Sequence, residues 1–324
     1  MPLEVLHSPG EWRARFGASG AGSVLTVGNF DGLHLGHQKI LRDVVERAKA
    51  ASAVATVLTF DPPPLKVLRP EVAPPSISTL AQRLKGFGRA GLDAALVLHF
   101  DLEFAKISAE DFVRKILLEQ VAMRLILVGE NFRFGNKHAG NSRLLSELAR
   151  LHGFAVQIVP PVLCRGEIVS STAIRREMAE GNVSHAARLL GRPFVLTGEI
   201  RRGTGTGRKF VFPTLNLAPD QELLPAQGVY VTETNVEGRL WRSATNVGRR
   251  PTFNGAELSI ESHLLGFSRT LTQGRMEIHF WKRLREEKKF SGPEELRRQI
   301  TKDIARANNF FSRLDRARRA RQSA

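Results

Sequence analysis

Cysteine is nearly missing from this 324-residue sequence: Cys164 stands alone, with no second thiol for an internal disulfide. One thiol cannot build a metal cluster either, so a reducing, cytoplasmic setting is the expectation. No apolar run approaches the ~20 residues that a membrane helix needs. The opening stretch MPLEVLHSPGEW lacks the basic-then-apolar order of a secretion signal, and no membrane association is expected. Acid is in short supply: 32 Asp and Glu face 48 Lys and Arg, for a formal net charge of +16. Such an excess suits nucleic acid, an anionic surface or small polyanions, and charge alone does not choose among them. Much of it falls on helical faces, in Arg285 to Lys289 and Arg313 to Arg321. No recognised nucleic-acid motif accompanies it, so no specific nucleic-acid partner is expected, and the chain is read as a monomer or weak homo-oligomer. What is present is an ordinary globular composition, 42% hydrophobic and 25% charged, and enough length for two domains with buried cores.

The most informative stretch is Ser23 to Leu41, SVLTVGNFDGLHLGHQKIL. Val24 to Val27 reads as a buried strand, Gly28 to Leu35 as a glycine-punctuated turn, and Gly36 onward as a helix. Strand, glycine turn and helix together aim free N–H groups at the strand's carboxyl end, where they attract phosphate. The wording is neither G-x-G-x-x-G nor a loop ending in Gly-Lys-Ser/Thr, which sets aside dinucleotide binding and the triphosphatase loop. Instead Gly28, Phe30, Asp31, Gly32, His34, Gly36 and His37 spell G-x-F-D-G-x-H-x-G-H. Two histidines three apart can each donate a hydrogen bond to a phosphoryl oxygen as charge develops on it. No nucleophile is needed.

Further strands are expected over Ala53 to Phe60, Ala94 to Phe100, Arg124 to Gly129 and Ala155 to Val159, with helices over Thr79 to Ala90, Ser108 to Leu118 and Asn141 to His152. Alternating apolar strands and amphipathic helices predict a parallel sheet covered on both faces, with ligands bound beyond the strands' carboxyl ends. Three stretches fall at such ends. Thr59 to Pro64 (TFDPPP) is a stiff loop. Val128 to Gly135 (VGENFRFG) places the Asn131 amide and two phenylalanines where a flat heterocycle could lie. Ser170 to Arg175 (SSTAIR) sets Ser171 and Thr172 at a helix start, with Arg175 in reach of a leaving pyrophosphate; the same hydroxyls would serve as simple caps.

After Leu189 to Pro193 the pattern changes to short strands without helices between them, over Phe194 to Ile200, Val229 to Thr234, Trp241 to Val247, Leu258 to Leu265 and Met276 to Trp281. That is the pattern of a small antiparallel barrel. Pro293 to Asn308 reads as a terminal amphipathic helix, and Arg313 to Ala324 as a frayed tail. Gly203 to Lys209 (GTGTGRK) can close over phosphates, with Gly203, Gly207 and Arg208 in contact. In Phe212 to Leu217 (FPTLNL), Thr214 and Asn216 alternate onto one face of a strand, where a hydroxyl and an amide oxygen could share a Mg²⁺ completed by phosphate oxygens and water.

The H-x-G-H stretch resembles the signature of nucleotidylyltransferases. With VGENFRFG and SSTAIR it looks like the FAD synthetase module of the bacterial bifunctional riboflavin kinase/FAD synthetase family. The glycine loop, P-T-x-N, Asn246 to Phe253 (NVGRRPTF) and Glu261 to Leu265 (ESHLL) resemble the riboflavin kinase module, so the likeness covers nearly the whole chain. It implies a Rossmann-like α/β nucleotidylyltransferase domain over residues 1–185, a small β-barrel kinase domain with a C-terminal helix over 186–311, and a disordered basic tail over 312–324. It implies two activities: riboflavin is phosphorylated by MgATP to FMN, and FMN is adenylylated by a second ATP to FAD and pyrophosphate. His34 and His37 would steady the α-phosphate with Gly28, Phe30, Asp31 and Gly36 around them. Asn131 would hold flavin or phosphate, Ser171, Thr172 and Arg175 the pyrophosphate, and Glu261 would accept the riboflavin hydroxyl proton.

Departures from the family wording are Pro63 where histidine is usual, Val211 for glycine, Gly266 for aspartate, and Ser268 to Gly274 in place of G-D-L-Y-G. Val211 and Gly266 leave open a synthetase with a merely flavin-binding barrel. The charge leaves open an RNA-associated protein.

Overall fold

The computed structural model describes residues 2–201, 213–252, 255–269, 271–288 and 290–322. Two compact units divide at Ser171/Thr172.

The first unit is built on a sheet of β1 (Glu4–Leu6), β2 (Ser23–Val27), β3 (Val54–Asp61), β4 (Ala94–His99) and β5 (Met123–Gly129). Two short pairs, β6 (Arg133–Phe134) with β7 (Gly140–Asn141) and β9 (Leu163–Cys164) with β10 (Glu167–Ile168), flank the last sheet strand β8 (Ala155–Val159). The sheet order β1-β4-β3-β2-β5-β8 is parallel throughout. β1 is a strand that the sequence reading missed, because three residues are too few to show periodicity. The helices are α1 (Pro9–Phe16), α2 (Leu35–Ala50), α3 (Pro64–Leu68), α4 (Leu80–Ala90), α5 (Ala109–Asp111) and α6 (Ser142–His152). The expected helix from Ser108 begins as foreseen, its hydroxyl accepting the Asp111 N–H at 3.0 Å. It then widens into a π-helix over Phe112–Leu118.

Period-two alternation divides the strands between two cores. Leu25, Leu58, Leu96 and Ile126 pack on one face, while Val24, Val57, Ala95 and Leu127 pack on the other. A sheet covered on both sides buries every position of an inner strand, and β2 is buried along all of its length, Ser23 and Thr26 included. Strand order reverses between β2 and β5, and their carboxyl ends carry Gly28 and Asn131.

The division falls after the first residue of α7 (Ser171–Ala179), and the second unit holds the rest of that helix and then α8 (Val183–Leu190). Both helices pack on the barrel: Ala226 N–H donates to Met178 O at 3.0 Å, and Ser184 Oγ to Trp281 O at 2.7 Å. The barrel closes in the order β11-β12-β15-β14-β13-β16. Its strands are β11 (Phe194–Arg201), β12 (Leu215–Pro219), β13 (Gly228–Val236), β14 (Arg239–Thr252), β15 (Gly255–Leu264) and β16 (Arg275–Arg285).

A single long helix, α9 (Pro293–Gln322), completes the unit. The expected end at Asn308 and the disordered tail from residue 312 are corrected as far as Gln322, where the helix ends; residues 323–324 lie outside the described residues. Residues 309–322 contain neither glycine nor proline, and packing holds them down. Phe311 is buried against Val231 and Ala307, with Trp281 and Leu314 alongside. Asp315 pairs with Arg242, and the Arg318 guanidinium lies 5.5 Å from the Trp281 ring centroid. Nearer its start, Asp303 is 3% exposed and takes Nε and Nη2 of Arg285, each at 2.9 Å. Gln299 completes that buried charge at 3.0 Å.

Candidate functional site

In the first unit the site grows out of the turn between β2 and α2. Phe30 (φ 49°), Gly32 (φ 81°) and Leu33 (φ 47°) are all left-handed, a conformation that costs a non-glycine residue about 1 kcal/mol. Burial of both apolar side chains, Phe30 at 3% and Leu33 at 5% exposure, offsets that cost. The turn therefore exists because its side chains are core. At Gly32 a Cβ would also meet Ile77 at 3.0 Å.

His34 is the N-cap of α2, and its Nδ1 accepts the backbone N–H of His37 at 3.3 Å. That bond places the ring proton on Nε2, leaving it to be donated elsewhere. The His34 and His37 rings stack with centroids 3.7 Å apart and planes 16° apart. Phe30 meets His37 edge-on at 5.1 Å. Burial pulls the His34 pKa down to about 4, against the attraction of Asp31. Burial also lowers the His37 pKa well below 6.5, and repulsion from His34 adds to the effect. Lowered pKa values keep the two stacked, buried imidazoles neutral at pH 7, a state that can donate a hydrogen bond without carrying charge. His37 Nδ1 is buried without a hydrogen-bond partner, a costly state for a polar atom in an apolar place.

The turn is fastened from two sides. The Asp31 carboxylate accepts the Ile77 and Ser78 N–H groups at 3.0 and 2.9 Å and the Ser78 hydroxyl at 3.0 Å. Ser78 Oγ in turn accepts the Gly32 N–H at 2.9 Å. Ser171 Oγ, at the end of the first unit, donates to Asp31 O at 3.0 Å. Thr172 and Arg175 follow in the first two turns of α7, Thr172 exposed and Arg175 half-buried. Gly28 and Gly36 line the turn, and a Cβ on Gly36 would press the His34 ring at 3.2 Å.

Sequence reasoning missed Arg83. It lies on α4, is 3% exposed, and donates from Nη1 to Asn29 O at 2.9 Å and Thr59 Oγ1 at 3.0 Å. Its Nη2 stands 3.7 Å from Asp61, so Thr59 and Asp61 at the end of β3 join Asn29 around a buried cation, and the expected loop over Thr59 to Pro64 is strand as far as Asp61. The available signal was spacing: Arg83 and Phe87, four apart, share the inward face of α4. Asn131 is exposed just after β5. Of the two phenylalanines expected to offer flat faces, Phe134 is core at 7% exposure, and Phe132 stacks on it half-exposed at 5.2 Å. One aromatic face is open there, rather than two. Gly135 (φ +71°) allows the chain to pass within 2.6 Å, measured from an added Cβ, of the Ala109 backbone.

In the second unit Thr214, Asn216 and Glu261 come together. Asn216 and Asn246 flank Glu261 as its register partners on β12 and β14. Thr214 Oγ1 donates to Glu261 Oε2 at 3.4 Å, and Ser259 Oγ to Oε1 at 2.9 Å. Ser259 was also missed, although its position two residues before Glu261 puts it on the same strand face. Thr214 and Asn216 are half-buried, with Leu215 and Leu217 turned into the barrel. A hydroxyl, an amide and a carboxylate on one face are hard oxygen donors, a set that fits Mg²⁺ shared with phosphate. Among the described residues no cluster of three or more His, Cys, Asp or Glu could hold a metal by itself. Gly266 has φ +78° and open space around an added Cβ, so the turn after β15 accounts for glycine where the family wording has aspartate. Gly203, Gly207, Arg208 and Val211 lie outside the described residues.

Comparison with known proteins finds two family models along the chain. The FAD synthetase family model matches residues 18–173, and the riboflavin kinase model residues 190–311. The bifunctional riboflavin kinase/FMN adenylyltransferase of Escherichia coli K12 is 33% identical over 292 residues, covering 90% of this chain and 93% of the relative. That of Pseudomonas fluorescens is 36% identical over 287 residues, covering 88% and 92%. A crystal structure from Streptococcus pneumoniae, described as a macrolide-efflux protein, superposes with a TM-score of 0.83 at 26% identity, covering 95% of this chain and 99% of that one. In this chain, no helix among the described residues is long and apolar enough to cross a membrane. The chain belongs to the bifunctional riboflavin kinase/FMN adenylyltransferase family and is an enzyme that makes FMN from riboflavin and FAD from FMN.

Proposed function

We propose that the two activities are divided between two pockets that share no residue. Adenylyl transfer is assigned to residues 1–185, around the turn from Gly28 to His37, and phosphorylation to residues 186–311, around Thr214, Asn216 and Glu261. The observation that carries this reading is the meeting of Glu261 with Thr214 across β12 and β15, remote in sequence from the stacked histidines of α2.

In the barrel, Glu261 takes the proton of the riboflavin 5′-hydroxyl as its oxygen attacks the γ-phosphorus of ATP, and ADP departs. Thr214 and Asn216 would hold a Mg²⁺ that neutralises phosphate charge. In the α/β unit an FMN phosphate oxygen attacks the α-phosphorus of a second ATP, and pyrophosphate departs. His34 Nε2–H and His37 donate to the α-phosphate oxygens as charge gathers there, and the N–H groups of the turn and of α2 add to them. Asp31 and Arg83 hold the turn in shape. Asn131 and the open face of Phe132 receive the flavin end of FMN. The chain acts in the cytoplasm as a monomer or weak homo-oligomer, a reading supported by its lone cysteine and high net charge.

The Glu261→Gln enzyme, expected to lose FMN formation and keep FAD formation from supplied FMN, tests the division between pockets, and labelled ATP tests which phosphorus each step attacks. With γ-labelled ATP, riboflavin and Mg²⁺, label is expected in FMN. With α-labelled ATP it is expected in FAD and never in FMN. Label from the α position in FMN would overturn the reading.

A further inference from the structure

The barrel interior contains a closed ring of hydroxyl groups. Thr232 meets Ser243 at 2.8 Å, Ser243 meets Thr234 at 2.8 Å, and Thr234 meets Ser262 at 2.8 Å. Ser262 meets Thr245 at 3.0 Å, and Thr245 returns to Thr232 at 2.7 Å. All five side chains are 0% exposed. Each hydroxyl has one proton and two neighbours in the ring, so every member can donate once and accept once around a single cycle. Loss of one member leaves two buried hydroxyls short of a partner.

The ring spans three strands, with two members on β13, two on β14 and one on β15. One of its bonds, Thr234 to Ser262, skips β14 altogether. In a flat sheet strands two apart are separated by roughly 9.6 Å, too far for two short side chains to touch. The contact therefore requires the β13-β14-β15 wall to curl sharply toward the barrel axis. A tight turn sets the pairing of β13 with β14: Val236 pairs with Arg239 across Glu237 and Gly238, both left-handed. Turns fix register and leave curvature free. The ring fixes the curvature.

Curvature matters at the far edge of β15. Among the described residues that strand joins β12 through two residue pairs, Leu215 with Ser262 and Asn216 with Glu261. Ser262 is thus at once a ring member and the neighbour of Glu261, one facing into the barrel and the other out. We propose that the hydroxyl ring positions Glu261 against Thr214, so that Thr232, Thr234, Ser243, Thr245 and Ser262 are positioning residues for riboflavin phosphorylation. This rests on the reading of Glu261 as the base at that site.

Thr232 gives the cleanest test because it lies on β13 and has no contact with Glu261's neighbours on β12. Thr232→Val keeps the shape and deletes the hydroxyl, while Thr232→Ser keeps the hydroxyl. For Thr232→Val, kcat for FMN formation is expected to fall about tenfold, the order that a small misplacement of a reacting group costs. The KM for riboflavin and the conversion of supplied FMN to FAD stay unchanged, and Thr232→Ser restores kcat. A Thr232→Val enzyme with full kinase kcat, beside an inactive Glu261→Gln enzyme, overturns the ring's role and leaves the base intact. Full kinase activity in Glu261→Gln overturns the reading beneath it. A second measurement requires no variant: proton NMR of the wild-type protein is expected to show slowly exchanging Ser and Thr hydroxyl protons from the barrel. Hydroxyls that all exchange with water too fast to detect would contradict a sealed ring.

Discussion

The two sites of this molecule are put together in opposite ways. In the α/β unit one contiguous segment supplies strand, turn, cap and both histidines, and the rest of the unit fastens that segment from outside through Ser78, Ser171 and Arg83. In the barrel no segment is sufficient. Thr214 and Glu261 meet because β12 and β15 pair, and β15 is held in turn by its neighbours. A local site keeps its geometry through short-range caps and turns, whereas a site assembled between strands inherits its geometry from the curvature and register of a sheet. Damage to the first is expected to stay local, and damage to the second to arrive from several strands away.

The sharpest way to break this contrast is to remove one group from each site. Glu261→Gln is expected to lower FMN formation about 10³-fold, within the usual range for loss of a positioned base. His37→Ala is expected to lower FAD formation from FMN about 10²-fold, as loss of one preorganised donor does, and FMN then accumulates when riboflavin is supplied. Arg83→Leu leaves Asn29 O and Thr59 without their partner. A loss of about 2 kcal/mol from the first unit follows, read as a Tm decrease of roughly 4–8 °C, with kinase kcat unaffected.

The smallest effect sharpens the electrostatic side. The His34 pKa lies near 4 in the folded protein, below the usual 6.5, so the unfolded chain binds more protons between those values. Stability of the first unit is therefore fully present above about pH 6.5 and declines as pH falls toward 4. Proton–nitrogen NMR is expected to show His34 as the neutral Nε2–H form down to about pH 5. A midpoint near 6.5 would contradict the burial argument.

The same contrast governs how much could be read from the sequence. The parallel sheet, the barrel and the turn from Gly28 to His37 are legible, because each is written in adjacent residues with a period or a fixed spacing. Thr214, Asn216 and Glu261 could be named from their motifs, but the Asn216–Glu261 pairing is a matter of register that no single strand states. Arg83 was overlooked for a different reason. An arginine in an amphipathic helix reads as surface until a carbonyl, a hydroxyl and a carboxylate are seen around it. The length of α9 was underestimated because Arg313 to Arg321 looks like a solvated charge run. Its anchors, Phe311, Asp315 and Arg318, find their partners on the barrel strands.

The central claim is that each activity has its own pocket, and the Glu261→Gln enzyme tests it most directly when both steps are timed on one preparation. Conversion of supplied FMN to FAD is predicted to run at the wild-type rate while riboflavin stays unphosphorylated. A fall of both steps by the same factor would contradict the account.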